Sequence, residues 1–230
     1  MSFIEMNNNK VYMCGEVLTE PKFSHELFGE GFYEFYLKVM RLSNTFDIIP
    51  VTISERILKN DEIKVGNIIS CTGQFRSYNK MENNKSRLML TVFIREVVTL
   101  NELPENENNI EITGYICKEP IFRTTPFNRE ICDVLIAVNR NYNKSDYIPC
   151  IAWGRNAKFV RDLNVGDKIK VTGRIQSREY QKKNDFDEFV TKTAYEVSLN
   201  KVILIDDDVI YKDDEIIETS IGKLTNYYVS

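Results

Sequence analysis

The chain has 230 residues, 43% of them hydrophobic and 28% charged, with a formal net charge of −4. This composition suits a folded globular chain and excludes a disordered or fibrous one. No stretch approaches the ~20 consecutive apolar residues that cross a bilayer as a helix. The first ten residues lack a basic region followed by an apolar one, so a cytoplasmic protein without a secretory leader is expected.

Taken in chain order, the elements occur twice. Val11-Tyr-Met-Cys-Gly15 alternates as a strand does, and Ile110-Glu-Ile-Thr-Gly114 repeats it 99 residues later. Pro21 and Phe23 recur as Pro120 and Phe122, the run Phe35–Arg41 as Val134–Arg140, and Ile49-Pro50 as Ile148-Pro149. Val65-Gly66 and Gly73 recur as Val165-Gly166 and Gly173, now 100 residues on. So long a register means a duplication. Between the copies, Asn101–Asn109 is polar, holds Pro104 and has no periodicity, and reads as a linker.

Within the second copy, Cys132–Val138 is a largely apolar strand. Asn156–Leu163 carries Ala157, Val160 and Leu163 on one helical face. Lys168–Gly173 and its continuation Arg174-Ile-Gln176 alternate with period two, as does Phe189–Leu199. Three strands, a short helix and two strands predict an all-β architecture. Its unit is a small five-stranded Greek-key barrel of the OB type, each with a short helix and present in tandem. The expected division is 1–103, 109–205 and a C-terminal extension, 206–230. Gly114 and Gly173 suit bulges or bends in strongly curved strands.

Little in the chain suggests catalysis. His25 is the single histidine, and no phosphate-cradling glycine loop occurs. Cys14, Cys71, Cys117, Cys132 and Cys150 form no CxxC pair, so neither zinc nor a disulfide framework is expected. Cys117, Cys132 and Cys150 lie in apolar runs and are expected to be buried. The acidic run Asp206–Asp208 and Asp213–Glu215 lacks the central glycine of a calcium loop and reads as solvated. No catalytic residue, metal site or cofactor is predicted.

The second copy does interleave rings with cations. Residues 109–204 hold 16 Lys/Arg and 12 Asp/Glu, whereas 205–230 hold 2 and 7, so the positive charge is local. Tyr142, Tyr147, Trp153 and Tyr180 stand among Arg140, Lys144, Arg155, Arg174, Arg178, Lys182 and Lys183. Rings that stack on bases, beside cations that follow phosphates, are what a single strand requires. Each ring, taken alone, could equally fill a barrel core.

Residues 110–204 resemble the bacterial single-stranded DNA-binding protein family. The runs that carry the likeness are Ile-Glu-Ile-Thr-Gly-Tyr-Ile-Cys-Lys-Glu-Pro, Ile-Ala-Val-Asn-Arg, Tyr-Ile-Pro-Cys-Ile-Ala-Trp-Gly-Arg-Asn-Ala and Leu-Asn-Val-Gly-Asp-Lys-Ile-Lys-Val-Thr-Gly-Arg-Ile-Gln-Ser-Arg. The resemblance implies an OB fold and stacking at four places, which here hold Tyr142, Tyr147, Trp153 and Tyr180. It implies little sequence preference and a role protecting single strands in replication, recombination and repair. Its working unit of four barrels implies a homodimer of this chain.

Two departures matter. In the first copy Ser43, Ile48 and Ser54 replace three of the rings, and Lys80 stands nearest the fourth, with Tyr78 close by. That copy is expected either to scaffold a dimer or to carry the strand through Arg76, Lys80, Lys85 and Arg87. The C-terminal segment also lacks the family's acidic Pro-Phe tip, and its apolar residues suggest packing against the body. These departures support a rival reading, a protein-interaction module of a primosome or mobile-element replication complex.

Overall fold

The computed structural model describes residues 7–60, 63–82, 85–104, 107–183, 187–206, 211–212 and 215–216. Of the apolar C-terminal residues expected to pack on the body, Ile217, Ile221, Leu224, Tyr227 and Tyr228 lie outside them, as does the side chain of Ile216.

Each copy forms a closed barrel. In the first, β1 (Asn9–Val17), β3 (Glu30–Met40), β4 (Phe46–Ser54), β6 (Lys85–Leu100) and β5 (Ile68–Glu82) follow one another around the ring and return to β1. All pairings are antiparallel except β4 with β6, which is parallel. The second copy repeats this with β7 (Asn108–Ile116), β9 (Glu130–Arg140), β10 (Lys144–Trp153), β12 (Phe189–Leu204) and β11 (Lys168–Lys183). Closure leaves few free strand edges. The chain thus consists of two tandem OB folds.

The helices fall between the fourth and fifth strands of each copy, α1 at Glu55–Asn60 and α2 at Gly154–Arg161. In α2, Ala157 and Val160 are fully buried, so the helix closes one end of its barrel. Four strands precede each helix, where the alternation had suggested three. The additional ones, β2 (Lys22–Leu27) and β8 (Ile121–Thr124), lie along the outer edges of β3 and β9. They are almost wholly exposed, so no buried face imprints a period on their sequence.

The cores follow the alternation. Val11, Met13, Phe35, Leu37, Ile49 and Phe75 fill the first barrel, and Ile112, Ile136, Ile148, Cys150, Val171 and Val197 the second. Gly173 sits at a register shift between β11 and β12, where a Cβ would come within 2.2 Å of the Ser198 carbonyl oxygen. At Gly114, β7 passes from β11 to β9, and a Cβ would meet the Ala137 carbonyl oxygen at 2.6 Å.

The barrels join through β1 and β7, which pair antiparallel with Val11 opposite Ile110. These two residues are repeat equivalents, so a local twofold axis passes through the pair. Asn108 and Asn109, read as linker, belong to β7. Asn108 closes a ring with Ile175, its amide nitrogen donating to the carbonyl oxygen (2.8 Å) and its amide oxygen accepting from the N–H (3.0 Å). Asn9 does the same with Phe75 in the first barrel. Each amide side chain continues a ladder that the backbone has left, which is why so polar a residue fits a strand here.

The cysteines are free. Burial pushes the Cys132 thiol up to about 11 and Cys71 up to about 12, and raises Cys150 further. Cys117 corrects the sequence reading: it lies just past β7, half-buried, with its thiol donating to the Leu135 carbonyl oxygen. Iodoacetamide at pH 8 is expected to label Cys117 first in the native protein. Cys71, Cys132 and Cys150 should react only after guanidinium unfolding, as peptide mass mapping would show.

Candidate nucleic-acid interface

On β10 the side chains of Asp146, Ile148, Cys150 and Ala152 point inward and are buried, so Tyr147 and Trp153 point out. Trp153 ends the strand at the start of α2. Its indole N–H donates to Ser198 Oγ at 3.1 Å, which lays the ring across the outer face of β12. Ser198 pairs with Arg174 on β11, and the same face continues through Gln176 and Arg178 to Tyr180, opposite Lys192. Gln176 donates to Glu196 at 2.8 Å, Arg178 lies 3.6 Å from Glu196, and the Arg178 guanidinium sits 5.9 Å from the centroid of the Tyr180 ring. Trp153, Arg178 and Tyr180 therefore share one outer stripe across β10, β12 and β11.

All four sequence-selected rings reach solvent: Tyr142 is 80% exposed, Tyr147 45%, and Trp153 and Tyr180 36% each. They do not share a single location. Tyr142 is on the hairpin between β9 and β10, at φ 64°, left-handed backbone rarely adopted by an aromatic residue. Tyr147 stands beside the junction of the barrels, its N–H donating to Ser77 Oγ of the first barrel at 2.7 Å.

The cations divide similarly. Lys144, Arg155, Arg178, Lys182 and Lys183 are exposed around the second barrel, with Lys183 also 2.9 Å from Asp187. Arg140 and Arg174, expected among the phosphate-tracking cations, are half-buried and turn to carboxylates at the junction. Arg140 Nε lies 3.4 Å from Asp146, and Arg174 Nη1 lies 3.7 Å from Asp47 of the other barrel. Burial lowers the Arg174 pKa, and Arg41 beside it adds to the effect.

Those carboxylates form a reciprocal clasp. Asp146 is buried and accepts from the Ser77 N–H at 2.7 Å, while Ser77 Oγ accepts from the Tyr147 N–H. Across the local axis, buried Asp47 accepts from the Ser177 N–H at 2.6 Å, and Ser177 Oγ accepts from the Ile48 N–H at 3.3 Å. Arg41 also forks onto Asp47, its Nε at 2.7 Å. A bond from a backbone amide to a buried carboxylate is charge-assisted and contributes about 1.5–3 kcal/mol. Burial raises the Asp146 pKa against the opposing pull of the Ser77 N–H, Arg140 and Arg76.

The first barrel has a different outer face. Ser54, in the place of Trp153, is buried. On β6, Phe93 occupies the place of Ser198, because Thr52 pairs with Phe93 as Ile151 pairs with Ser198. Large and small residues have exchanged places across two strands. The Arg76 guanidinium lies 4.0 Å from the Phe93 ring centroid, Phe32 packs 5.6 Å from it, and His25 stacks on Phe32 at 5.0 Å. The chain's own groups thus occupy this aromatic cluster. Burial takes the Arg76 pKa down to about 10. Tyr78 donates to Glu34 at 3.3 Å, and its hydroxyl is pushed up to about 12, chiefly by burial. Lys80 is exposed, Arg87 is half-buried, and the Lys85 side chain lies outside the described residues. The exchange escapes a residue-by-residue comparison of the copies because the partners lie about forty residues apart and meet only through strand register.

The model of the Single-strand binding protein family matches residues 107–205, which contain the whole outer stripe. Single-stranded DNA-binding protein 3 of Streptococcus agalactiae serotype V is 31% identical over 96 residues, covering 39% of this chain and 70% of that protein. The chain belongs to this family. Single-stranded DNA-binding protein 1 of Staphylococcus aureus is 33% identical over 94 residues, 38% of this chain and 56% of the relative, so the match spans little more than half its length. The crystal structure of the single-stranded DNA binding protein from Thermus aquaticus has the same fold over both barrels. Its TM-score is 0.65 at 19% identity, covering 89% of this chain and 96% of that one. Membership places the chain among non-enzymatic proteins. Among the described residues no helix is long and apolar enough to cross a membrane.

Replacing Asp146 by Ala leaves the Ser77 N–H without its buried acceptor and Arg140 without its ion-pair partner, and should cost about 3–5 kcal/mol in urea unfolding. Asp146→Asn should cost less. A carboxyl whose pKa is higher folded than unfolded favours folding in its protonated form. The contribution of this group therefore improves as pH falls through its folded value, and the pH slope should vanish in the Asn variant.

Proposed function

We propose that the chain binds single-stranded DNA with little sequence preference, stacking bases on Trp153 and Tyr180 and continuing to Tyr147 and Tyr142. Lys144, Arg155, Arg178, Lys182 and Lys183 follow the phosphates, with Arg140 and Arg174 acting from the junction. The observation that carries this reading is the placing of an indole and a phenol, each about one-third exposed, on one outer stripe with Arg178 between them. The relatives' own names describe proteins that bind single-stranded DNA. Stacking is worth about 1–3 kcal/mol per base and does not read base edges, so specificity should be weak.

In this reading residues 1–103 form an OB unit with a reduced aromatic platform, 109–205 the DNA-binding OB unit, and 206–230 an extension. The protein protects single strands in the cytoplasm during replication, recombination and repair, and works as a homodimer of four barrels.

Trp153 is the single tryptophan in the sequence, so its fluorescence reports this stripe directly. Oligo-dT should quench it, and affinity should fall steeply with salt as counterions are released. Trp153→Ala combined with Tyr180→Ala should weaken binding of a labelled dT oligomer by about 2–6 kcal/mol in anisotropy titrations. Unchanged affinity in a folded double variant refutes the site. Light scattering should give twice the 26.9 kDa chain mass; a monomer at the concentrations where DNA binds refutes the homodimer.

A further inference from the structure

A groove of about 450 Å³ opens between the barrels on the side of the local axis away from Tyr147. The first barrel lines it with Leu18, Tyr36, Phe46 and Ile48, and the β11–β12 arm of the second adds Thr193 and Tyr195. Tyr36 is 42% exposed and Phe46 49%. Core rings would be covered, whereas these two border open space.

The local axis explains what this groove corresponds to. It carries Ile48 onto Tyr147, and the two N–H groups make the same bond, to Ser177 Oγ and Ser77 Oγ respectively. The groove is therefore the counterpart of the place where Tyr147 stands. Around Tyr147 the equivalents of Tyr36, Phe46 and Tyr195 are Leu135, Ser145 and Leu90. One side has a single ring among aliphatic and small residues, and the other has three rings around an aliphatic one.

We propose that this groove is a second base-stacking subsite, in which Tyr36, Phe46 and Tyr195 take bases of the same single strand that lies on the second barrel. The proposal rests on the single-strand reading above and extends it to residues outside the Trp153 stripe.

The route between the two sites is short. Glu179 lines the groove, and Tyr180, the next residue on β11, points to the opposite face of the same arm. A strand stacked on Tyr180 reaches the groove by passing over the edge of the arm. Cations border it: Lys38 Nζ lies 5.3 Å from the Phe46 ring centroid, and Arg41 and Arg174 both face the one carboxylate of Asp47. The carboxylates nearby are Glu179 and Glu16, the latter 3.4 Å from Lys38. Burial pushes the Tyr195 hydroxyl up to about 12, so its ring stays neutral at any working pH.

The test uses the full chain and dT oligomers containing iodouracil, which crosslink to stacked aromatic side chains under light. Crosslinks are expected at Tyr36, Phe46 or Tyr195 as well as on the second-barrel rings. Tyr36→Leu with Phe46→Leu keeps apolar volume in the groove and removes two rings. This variant should lose the groove crosslinks and bind long oligomers about tenfold more weakly. Short oligomers should still quench its Trp153 fluorescence fully. Crosslinks confined to Tyr142, Tyr147, Trp153 and Tyr180, with unchanged long-oligomer affinity in the Leu variant, overturn the subsite and leave the primary reading standing. Failure of any oligomer to crosslink or to quench Trp153 overturns both.

Discussion

Two carboxylates, Asp47 and Asp146, are buried where one barrel meets the other, and their charge has to be answered across that boundary. Each takes a backbone N–H from a serine of the opposite barrel, and each serine hydroxyl takes the N–H of the residue after the aspartate. Neither barrel could satisfy its own aspartate with these bonds alone. The clasp therefore fixes the barrels about the axis through Val11 and Ile110, where β1 and β7 already make one continuous sheet. Position along the strand couples the clasp to the surface, because Tyr147 directly follows Asp146 and Ile48 directly follows Asp47.

Duplication supplied this symmetry, and the two copies have since diverged in how they use it. The second barrel holds Trp153 over small Ser198, with the indole accessible. The first has Ser54 in the place of Trp153 and Phe93 in the place of Ser198, and covers the Phe93 ring with Arg76 and Phe32. A guanidinium 4.0 Å from a ring already occupies the face on which a base would lie. Loss of stacking positions in the first copy is thus an exchange of volumes that leaves the sheet packed. Beside the junction the divergence runs the other way, with rings gathered on the Ile48 side and one on the Tyr147 side.

Much of this was legible in the residues. Buried alternation in Val11–Gly15, Lys168–Gly173 and Phe189–Leu199 identified strands, since every second side chain has to leave water. Gly173 announced a bulge, since a Cβ there has no room. The exposed rings Tyr142, Tyr147, Trp153 and Tyr180 could be selected because charged or polar neighbours surround most of them. By contrast, β2 and β8 left no trace, being exposed along both faces. The engagement of Arg140 and Arg174 at the junction was equally invisible, because one partner carboxylate lies on another strand and the other on another barrel.

The sequence by itself determined the duplication, the barrel class and which copy holds the four exposed rings, because these depend on local alternation and on residues present or absent at matched positions. Only the tertiary structure decided which cations face outward, that Phe93 stands in the place of Ser198 under Arg76, and that Tyr36, Phe46 and Tyr195 meet in one groove. Those facts arise from strand register and from the twofold meeting of the barrels, which bring together residues far apart in the chain.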